Sequence, residues 1–518
     1  MGGIFRLISE KKVQQKLFQA SLQGLKQLAG NEREAFGSSA FGFTRSTFSN
    51  DVKELIKRIR NVLVSTQQMK EHEDDPEKFV DLQHVMAQSY CDSPEHRKTW
   101  LEEMAKKHKE VENYVESAMC HAHIAGLLAE LLHKKRLISY GCQHFLPISV
   151  NIPTDESKLK EDEELHYTAC DLAKHLKIAA DLADRSERPE LIPRILNLAI
   201  PLYESQHDFE KLAEHYKEMQ AAMMKALNYK TRKRFLGQFY RVALFGTHWE
   251  DDQNKIFIYK EPKITQLNEV RARLDDLYKK RFGDKFSIIT DSKPVNVAEL
   301  DVKIAYLQLT SVEPHFDEKE LEYESCFTKA HNIRRFAFET PFTKEGKART
   351  EDVTKQWMRK TIITTIHAFP YCTKRIESRA EEHAELSPPQ IAIDSLRRKN
   401  KELAEVIVPP IDIKKLQLRL QGSVLVTVNA GSMAYAYAFL KTHDEALIST
   451  AQRTALMEQY ARFVTLSTEA LDINSAQLSG DGKNGADIMY HESLTNGLLQ
   501  IKTELSEMGL NLDPVETV

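Results

Sequence analysis

The stretch LQGSVLVTVNAGSMAYAYAFL, residues 420–440, decides how the last third of this chain is read. Leu416, Leu418, Leu420, Val424, Val426 and Val428 alternate as a strand would, yet Ile413, Leu416, Leu420 and Val424 also fall at helical spacing. Asn429-Ala430-Gly431 interrupts either element, and an alanine- and tyrosine-rich segment of helical character follows. On these residues alone the two readings stay open.

Upstream, Pro388-Pro389 opens the amphipathic run IAIDSLRRKNKELAEVI and Pro409-Pro410 ends it. Downstream, helical blocks near 444–471 and 489–508 are separated by the polar LSGDGKNGAD. Residues 387–518 therefore read as a small helical bundle. Before it, KIFIYKEPKIT, KFSIITD, IAYLQLTSVEPHF, NIRRFAFETPFT and KTIITTIHAFPY are short β-branched and aromatic runs bounded by Pro, Asp and Ser. They predict a small, mostly antiparallel sheet lobe of four to six strands over 253–386, with one inserted helix, NEVRARLDDLYKKRF. Residues 80–245 alternate helical blocks with polar breaks, a texture like tetratricopeptide pairs without their strict period. An amphipathic helix from Asp51 precedes them, so 51–252 is expected to be a helical lobe and 1–50 a flexible leader. The class is mainly α with a smaller β lobe, α+β, in three lobes.

Composition narrows the function. Lys plus Arg (72) nearly balance Asp plus Glu (76), so no broad basic field exists to draw nucleic acid. The six cysteines are scattered without a C-x-x-C pair, which suits reduced thiols. No apolar run approaches the ~20 residues of a membrane span, and no signal-peptide block opens the chain. A soluble cytoplasmic protein is expected, reaching membranes only indirectly.

Catalytic motifs are missing. There is no H-E-x-x-H, G-x-S-x-G or G-x-x-x-x-G-K-[ST], and the loop from Asp481 places Lys483 and Gly485 where a calcium loop needs oxygens. His121 and His123, two apart on a helix, point to different sides and make a poor zinc pair. No metal or cofactor is expected.

Taken together, VKELIKRIRNVLVSTQQMKEHEDDPEKFVDLQ, SPEHRKTWLEEMAKKH, ESAMCHAH, IPLYESQHDFEKLAEHYKEM, FYRVALFG, FIYKEPKIT, FDEKEL, HNIRRFAFETPFT, RKTIITTIHAFPY and KLQLRLQGSVLVTVNAG resemble the Dock family of guanine nucleotide exchange factors. The likeness is to its catalytic Dock homology region two, zizimin branch, and it runs collinearly over about residues 51–440. It does not extend to the upstream lipid-binding regions of full-length relatives, so a fragment, a short gene product and a trimmed chain all stay open.

The resemblance implies a first lobe that carries a homodimer interface and a Rho-family GTPase, of the Cdc-forty-two or Rac type, held between the second and third lobes. It implies a bundle helix broken to hold a loop, helical over 413–424, non-helical over 428–431 and helical again from near Met433, in which Val428 is a nucleotide sensor and Asn429, Ala430 and Gly431 complete the loop. It implies GTPase contacts from Thr290, Asp291 and Ser292, from Arg334, Arg335, Phe338, Pro341 and Phe342, and from Leu416, Leu420, Gln421, Ser423 and Val424. Ser432-Met433 stands where relatives usually have Pro-Leu, Tyr437 where they tend to have Arg, and Thr290 where a longer polar side chain helps set GTPase choice. These departures motivate an alternative, a GTPase-binding scaffold that exchanges nothing.

Overall fold

The computed structural model describes residues 21, 23, 24, 27, 48–90, 93–158, 166–229, 234, 236–262, 264–317, 327–409, 411–425, 432–441, 447–478 and 485–510. They fall into two compact units, Met1–Phe336 with Thr364–Ala380 and Ala337–Ile363 with Glu381–Val518.

The first unit begins with helices α1 (Phe48–Glu71), α2 (Pro76–Ser89), α3 (Pro94–Glu110), α4 (Tyr114–Lys134), α5 (Asn151–Glu156), α6 (Ala169–Arg185), α7 (Leu191–Leu196), α8 (Ile200–Ser205) and α9 (Phe209–Asn228). Local chemistry marks their starts. Asp75 accepts a hydrogen bond from the Lys78 amide and Pro76 occupies the first turn of α2, while Thr168 and Asp171 cap α6 reciprocally. α4 is apolar nearly all round, as a helix enclosed by neighbours must be, and packs against α3 and α6. Its Met119, Ile124 and Leu128 meet Leu176, Ile195 and Phe145 in one core.

The strands are β1 (Gln238–Phe245), β2 (Ile256–Glu261), β3 (Phe286–Ile289), β4 (Ala305–Pro314), β5 (Ile333–Phe342), β6 (Trp357–Phe369) and β7 (Arg375–Leu386), with α10 (Leu267–Phe282) inserted after β2. The ladder runs β1-β2-β7-β6-β5-β4-β3, and β1 also pairs with β4, so six strands close on themselves and β3 is appended. β1 is antiparallel to both partners, Val242 opposing Phe257 on one side and Leu309 on the other. The sheet is mostly antiparallel, as expected; the exception is β3, which lies parallel to β4, Phe286 opposite Ala305, because residues 290–304 carry the chain back to the same end of the sheet before β4 begins. β1 itself falls inside the stretch that reads as helical blocks. Gly246 ends it at φ 103, where a Cβ would stand 2.4 Å from the Ile304 carbonyl oxygen.

Within this unit a buried polar seam ties strands to helices. Asn151 exchanges two hydrogen bonds with the Ala368 backbone (2.8 and 3.0 Å), and Tyr371 donates to Asp155 at 2.7 Å. Arg97 grips Glu156 through two bonds of 2.6 and 2.7 Å, and Lys260 pairs with Glu116. Arg97 and its neighbours hold the Glu156 carboxyl down at about 2 against the pull of burial, and carboxylate and thiol neighbours raise His123 to about 10. His121 lies instead 3.1 Å from His175, so the two histidines do face apart. Among the described residues no cluster of three or more metal-ligating side chains occurs, and no helix is long and apolar enough to cross a membrane.

The second unit holds the bundle: α11 (Pro388–Ile407), α12 (Ile413–Val424), α13 (Ser432–Phe439), α14 (Thr450–Leu478) and α15 (Gly485–Glu507). Ser387 and Gln390 form a capping box on α11, and Asp412 caps α12 by accepting from the Lys415 amide. Leu396, Leu403, Leu416, Leu420, Phe439, Tyr460, Phe463, Leu494 and Leu498 fill its core.

Candidate GTPase-binding site

The residues expected from sequence are found in each of the two units. In the first, Thr290, Asp291 and Ser292 leave the end of β3, with Thr290 and Asp291 exposed. Their backbone is not left to itself: the Gln308 side-chain amide donates to the carbonyls of Asp291 and Lys293, both at 2.8 Å. Gln308 is buried on β4, and its oxygen accepts from Arg241 at 2.8 Å. A buried amide satisfied on both sides has one orientation, so it fixes the loop it holds. Sequence reasoning passed over Gln308, although a glutamine inside the apolar run AYLQLTSV was a signal that something polar had to meet it.

Arg334 and Arg335 alternate as strand neighbours do. The Arg334 guanidinium is exposed, 3.5 Å from the Ile366 carbonyl, whereas Arg335 is half-buried and pairs with Asp317 at 2.7 Å. That hydrogen bond from Arg335 lowers the Asp317 pKa.

In the second unit, Phe338, Pro341 and Phe342 are half-buried on β5. The Phe342 ring carries the Arg359 guanidinium 5.2 Å from its centroid and lies 6.4 Å from Trp357, over which Lys344 sits at 4.0 Å. Cations thus stack on the rings of this hairpin, with Arg359 also paired to Glu385 at 2.9 Å.

The helix α12 runs Ile413–Val424, ending where the sequence reading ends it, and α13 is described over Ser432–Phe439. Val428, Asn429, Ala430 and Gly431 lie outside the described residues. Leu416 and Leu420 are fully buried, and Ser423 and Val424 each only 6% exposed, so these four side chains face the bundle interior. The outward face of α12 is made by Lys415, Leu418, Arg419 and Gln421, and Leu418 is 68% exposed. Helical geometry explains the exchange: the residues that sit at i, i+4 and i+8 form the core stripe, and a surface needs the positions between them. Arg419 is steadied by Glu402 at 2.6 Å, and Gln421 accepts from the Tyr490 hydroxyl at 3.3 Å. Tyr437, where a lost polar contact is expected, donates to the Glu504 carboxylate, and that bond raises its own pKa.

Comparison with known proteins gives this geometry a family. Models of the DHR-2 family match in chain order: lobe A over residues 81–228, lobe B over 292–368 and lobe C over 402–508. The chain is similar to dedicator of cytokinesis protein 11 of Danio rerio, 43% identical over 473 residues, covering 89% of this chain and 22% of that protein. It is 40% identical over 513 residues to dedicator of cytokinesis protein 9 of Mus musculus, covering 95% of this chain and 24% of the relative. Against dedicator of cytokinesis protein 9 of Rattus norvegicus it is 37% identical over 525 residues, covering 95% of this chain and 71% of the relative. The chain thus spans about a quarter of the first two relatives. Matches to lobes A, B and C in chain order, with these identities, show that the chain belongs to the dedicator-of-cytokinesis family and carries its DHR-2 lobes A, B and C.

Proposed function

We propose that this chain is a guanine nucleotide exchange factor for Rho-family small GTPases of the Cdc-forty-two or Rac type, with Val428 as the residue that expels magnesium. The observation that carries the proposal is the end of α12: Leu416, Leu420 and Val424 sit in the bundle core, and the helix stops at Val424, ahead of Val428 in the sequence. A helix anchored in this way fixes the point from which the chain runs on.

The chemistry follows from the ion. A GTPase holds its nucleotide largely through magnesium, which demands oxygen ligands in near-octahedral geometry. A valine side chain offers no oxygen and fills the space, so the phosphates lose their counter-charge and GDP is released. Asn429 and Ala430 carry the loop and Gly431 allows close backbone approach. Linkage requires that GTP with magnesium weaken the exchange factor in return, which frees the product. No bond is made or broken by this chain, and it needs no cofactor of its own.

In this reading Thr290, Asp291, Ser292, Arg334 and Arg335 in one unit, and Phe338, Pro341 and Phe342 in the other, bind the GTPase, joined by Gln421 with Leu418 and Arg419 from α12. Leu416, Leu420, Ser423 and Val424 act from inside the bundle by holding that helix in place. Dimerisation through the first lobe is supported by an unusual stripe on α9, where Phe209, Tyr216, Met223 and Leu227 share one face and are 72%, 53%, 46% and 51% exposed. A GTPase-binding scaffold without exchange is the second reading, supported by Tyr437 being engaged with Glu504 where relatives tend to have Arg.

Release of a fluorescent GDP analogue from Rac-type and Cdc-type GTPases tests the proposal. The chain at micromolar concentration accelerates release from at least one of them, and Val428→Ala keeps binding while losing most of the acceleration. Binding without acceleration selects the scaffold. A Val428→Ala variant as fast as wild type removes the sensor role.

A further inference from the structure

We infer that Gly497 on α15 is a positioning residue for exchange, because its missing side chain sets where Val424 and Leu425, the end of α12, are held in the bundle. The inference rests on the exchange reading above and adds a residue to it.

The geometry is local and specific. A Cβ built on Gly497 would lie 3.0 Å from Val424 Cγ1, 3.1 Å from the Val424 carbonyl oxygen and 3.2 Å from Leu425 Cδ2. Val424 is the last residue of α12, and Leu425 caps it. Two of those three atoms do not swing away as a long side chain would: one belongs to the backbone and one to a β-branched side chain in the core. A methyl group here requires Val424 and Leu425 to give way by a few tenths of an ångström. Gly422, on α12 itself, gives the contrast, since nothing lies within 4 Å of where its Cβ would stand.

α15 is not free to roll aside. One to two turns before Gly497 it is pinned to α12 and α14 by polar contacts: the Tyr490 hydroxyl lies 3.3 Å from Gln421 Oε1 and 3.4 Å from the Gln417 carbonyl. Asn474, fully buried on α14, accepts from Gln417 Nε2 at 3.0 Å and meets His491 Nδ1 at 3.0 Å. Such a buried bridge fixes axial register, because sliding either helix leaves a polar group unpaired in an apolar core. Leu494 and Leu498, both in the core, flank Gly497. A push at Gly497 is then taken up by Val424 and Leu425.

Glycine is also a poor choice for mid-helix on its own account, as alanine is the better helix former. That fact separates the explanations. If Gly497 were an incidental glycine, alanine would raise the melting temperature and leave exchange alone. If it only filled a structural slot, alanine would lower stability and active fraction together.

The test uses the full chain with Gly497→Ala, Gly497→Val and the double variant Gly497→Ala/Val424→Ala, which removes the Cγ1 contact. Each is measured for maximal exchange rate and KM on the responsive GTPase, for affinity to the nucleotide-free GTPase, and for thermal melting. Expected is a fall of about tenfold in maximal rate for Gly497→Ala, the scale on which sub-ångström to ångström misplacement acts, with KM and affinity changed less than about twofold on the same ground. Gly497→Val falls further, and the double variant recovers part of the rate. A wild-type rate in folded Gly497→Ala overturns the inference, as does a loss that tracks melting and is not relieved by the second substitution. A wild-type chain that accelerates no GTPase refutes the exchange reading itself, and this inference with it.

Discussion

Leu416 and Leu418 are the same side chain two positions apart on one helix, and they have opposite fates. Leu416 is wholly buried in the bundle core, whereas Leu418 is 68% exposed beside Arg419. Leu416→Ala should therefore cost about 2–5 kcal/mol of stability, read from denaturant midpoints, because it removes contacts and leaves a cavity. Leu418→Ala should change stability by no more than about 0.5 kcal/mol, yet weaken GTPase binding in a titration against the nucleotide-free GTPase. Equal losses of stability would mean that α12 is turned otherwise. The sequence contained both residues in one alternating row, and nothing in that row said which was inside. Only the neighbours on α11, α14 and α15 decide it. Gln308 teaches the converse lesson, since one polar residue in an apolar strand marks a buried demand that its own segment cannot name.

At the scale of elements, legibility followed the caps. The bounds of α11 and α12 could be read because Pro, Ser and Asp punctuate them. β7, RIESRAEEHAEL, was not read as a strand because its residues are ordinary helix formers. Pairing with β2, where Tyr259 opposes Arg375, overrides that preference. β1 was hidden for another reason: both of its edges are paired, so its buried run FYRVALF shows none of the alternation that betrays a strand with one wet face. Closure of the barrel depends on pairs distant in sequence and leaves no local trace. The α9 stripe yields an element-scale prediction. Met223→Glu or Tyr216→Asp should shift the chain from dimer to monomer in light scattering at micromolar concentration while the helical circular dichroism is kept. A wild-type chain that is already monomeric would remove the stripe as a self-association surface.

For the molecule as a whole, buried titratable groups set a pH window. His331, hydrogen-bonded to the Ile148 carbonyl, and His175 are pushed down by burial to about 3 and about 4. Their unfolded forms titrate near 6.5, so between those values the unfolded chain binds more protons and stability falls as pH is lowered. Glu156, held at about 2, adds a second loss below its ordinary carboxylate range. His123 works the other way: raised to about 10, it contributes most below 6.5 and loses that contribution as pH climbs toward 10. The urea midpoint should thus be highest near neutrality and fall on going from pH 7 to pH 5. A midpoint that is flat or rising over that interval would mean these histidines are protonated in the folded protein.

The chain passes between its two compact units at residues 336/337, 363/364 and 380/381, each time inside a strand: β5, β6 and β7. This matters for anyone recombining relatives. A single splice ahead of Pro388 would transplant the helices of the bundle but strand residues 337–363 and 381–386, which cluster with that bundle, in the recipient. A functional hybrid must carry those strand segments across with the helices, which makes the heritable module of specificity larger than the bundle and discontinuous in the gene.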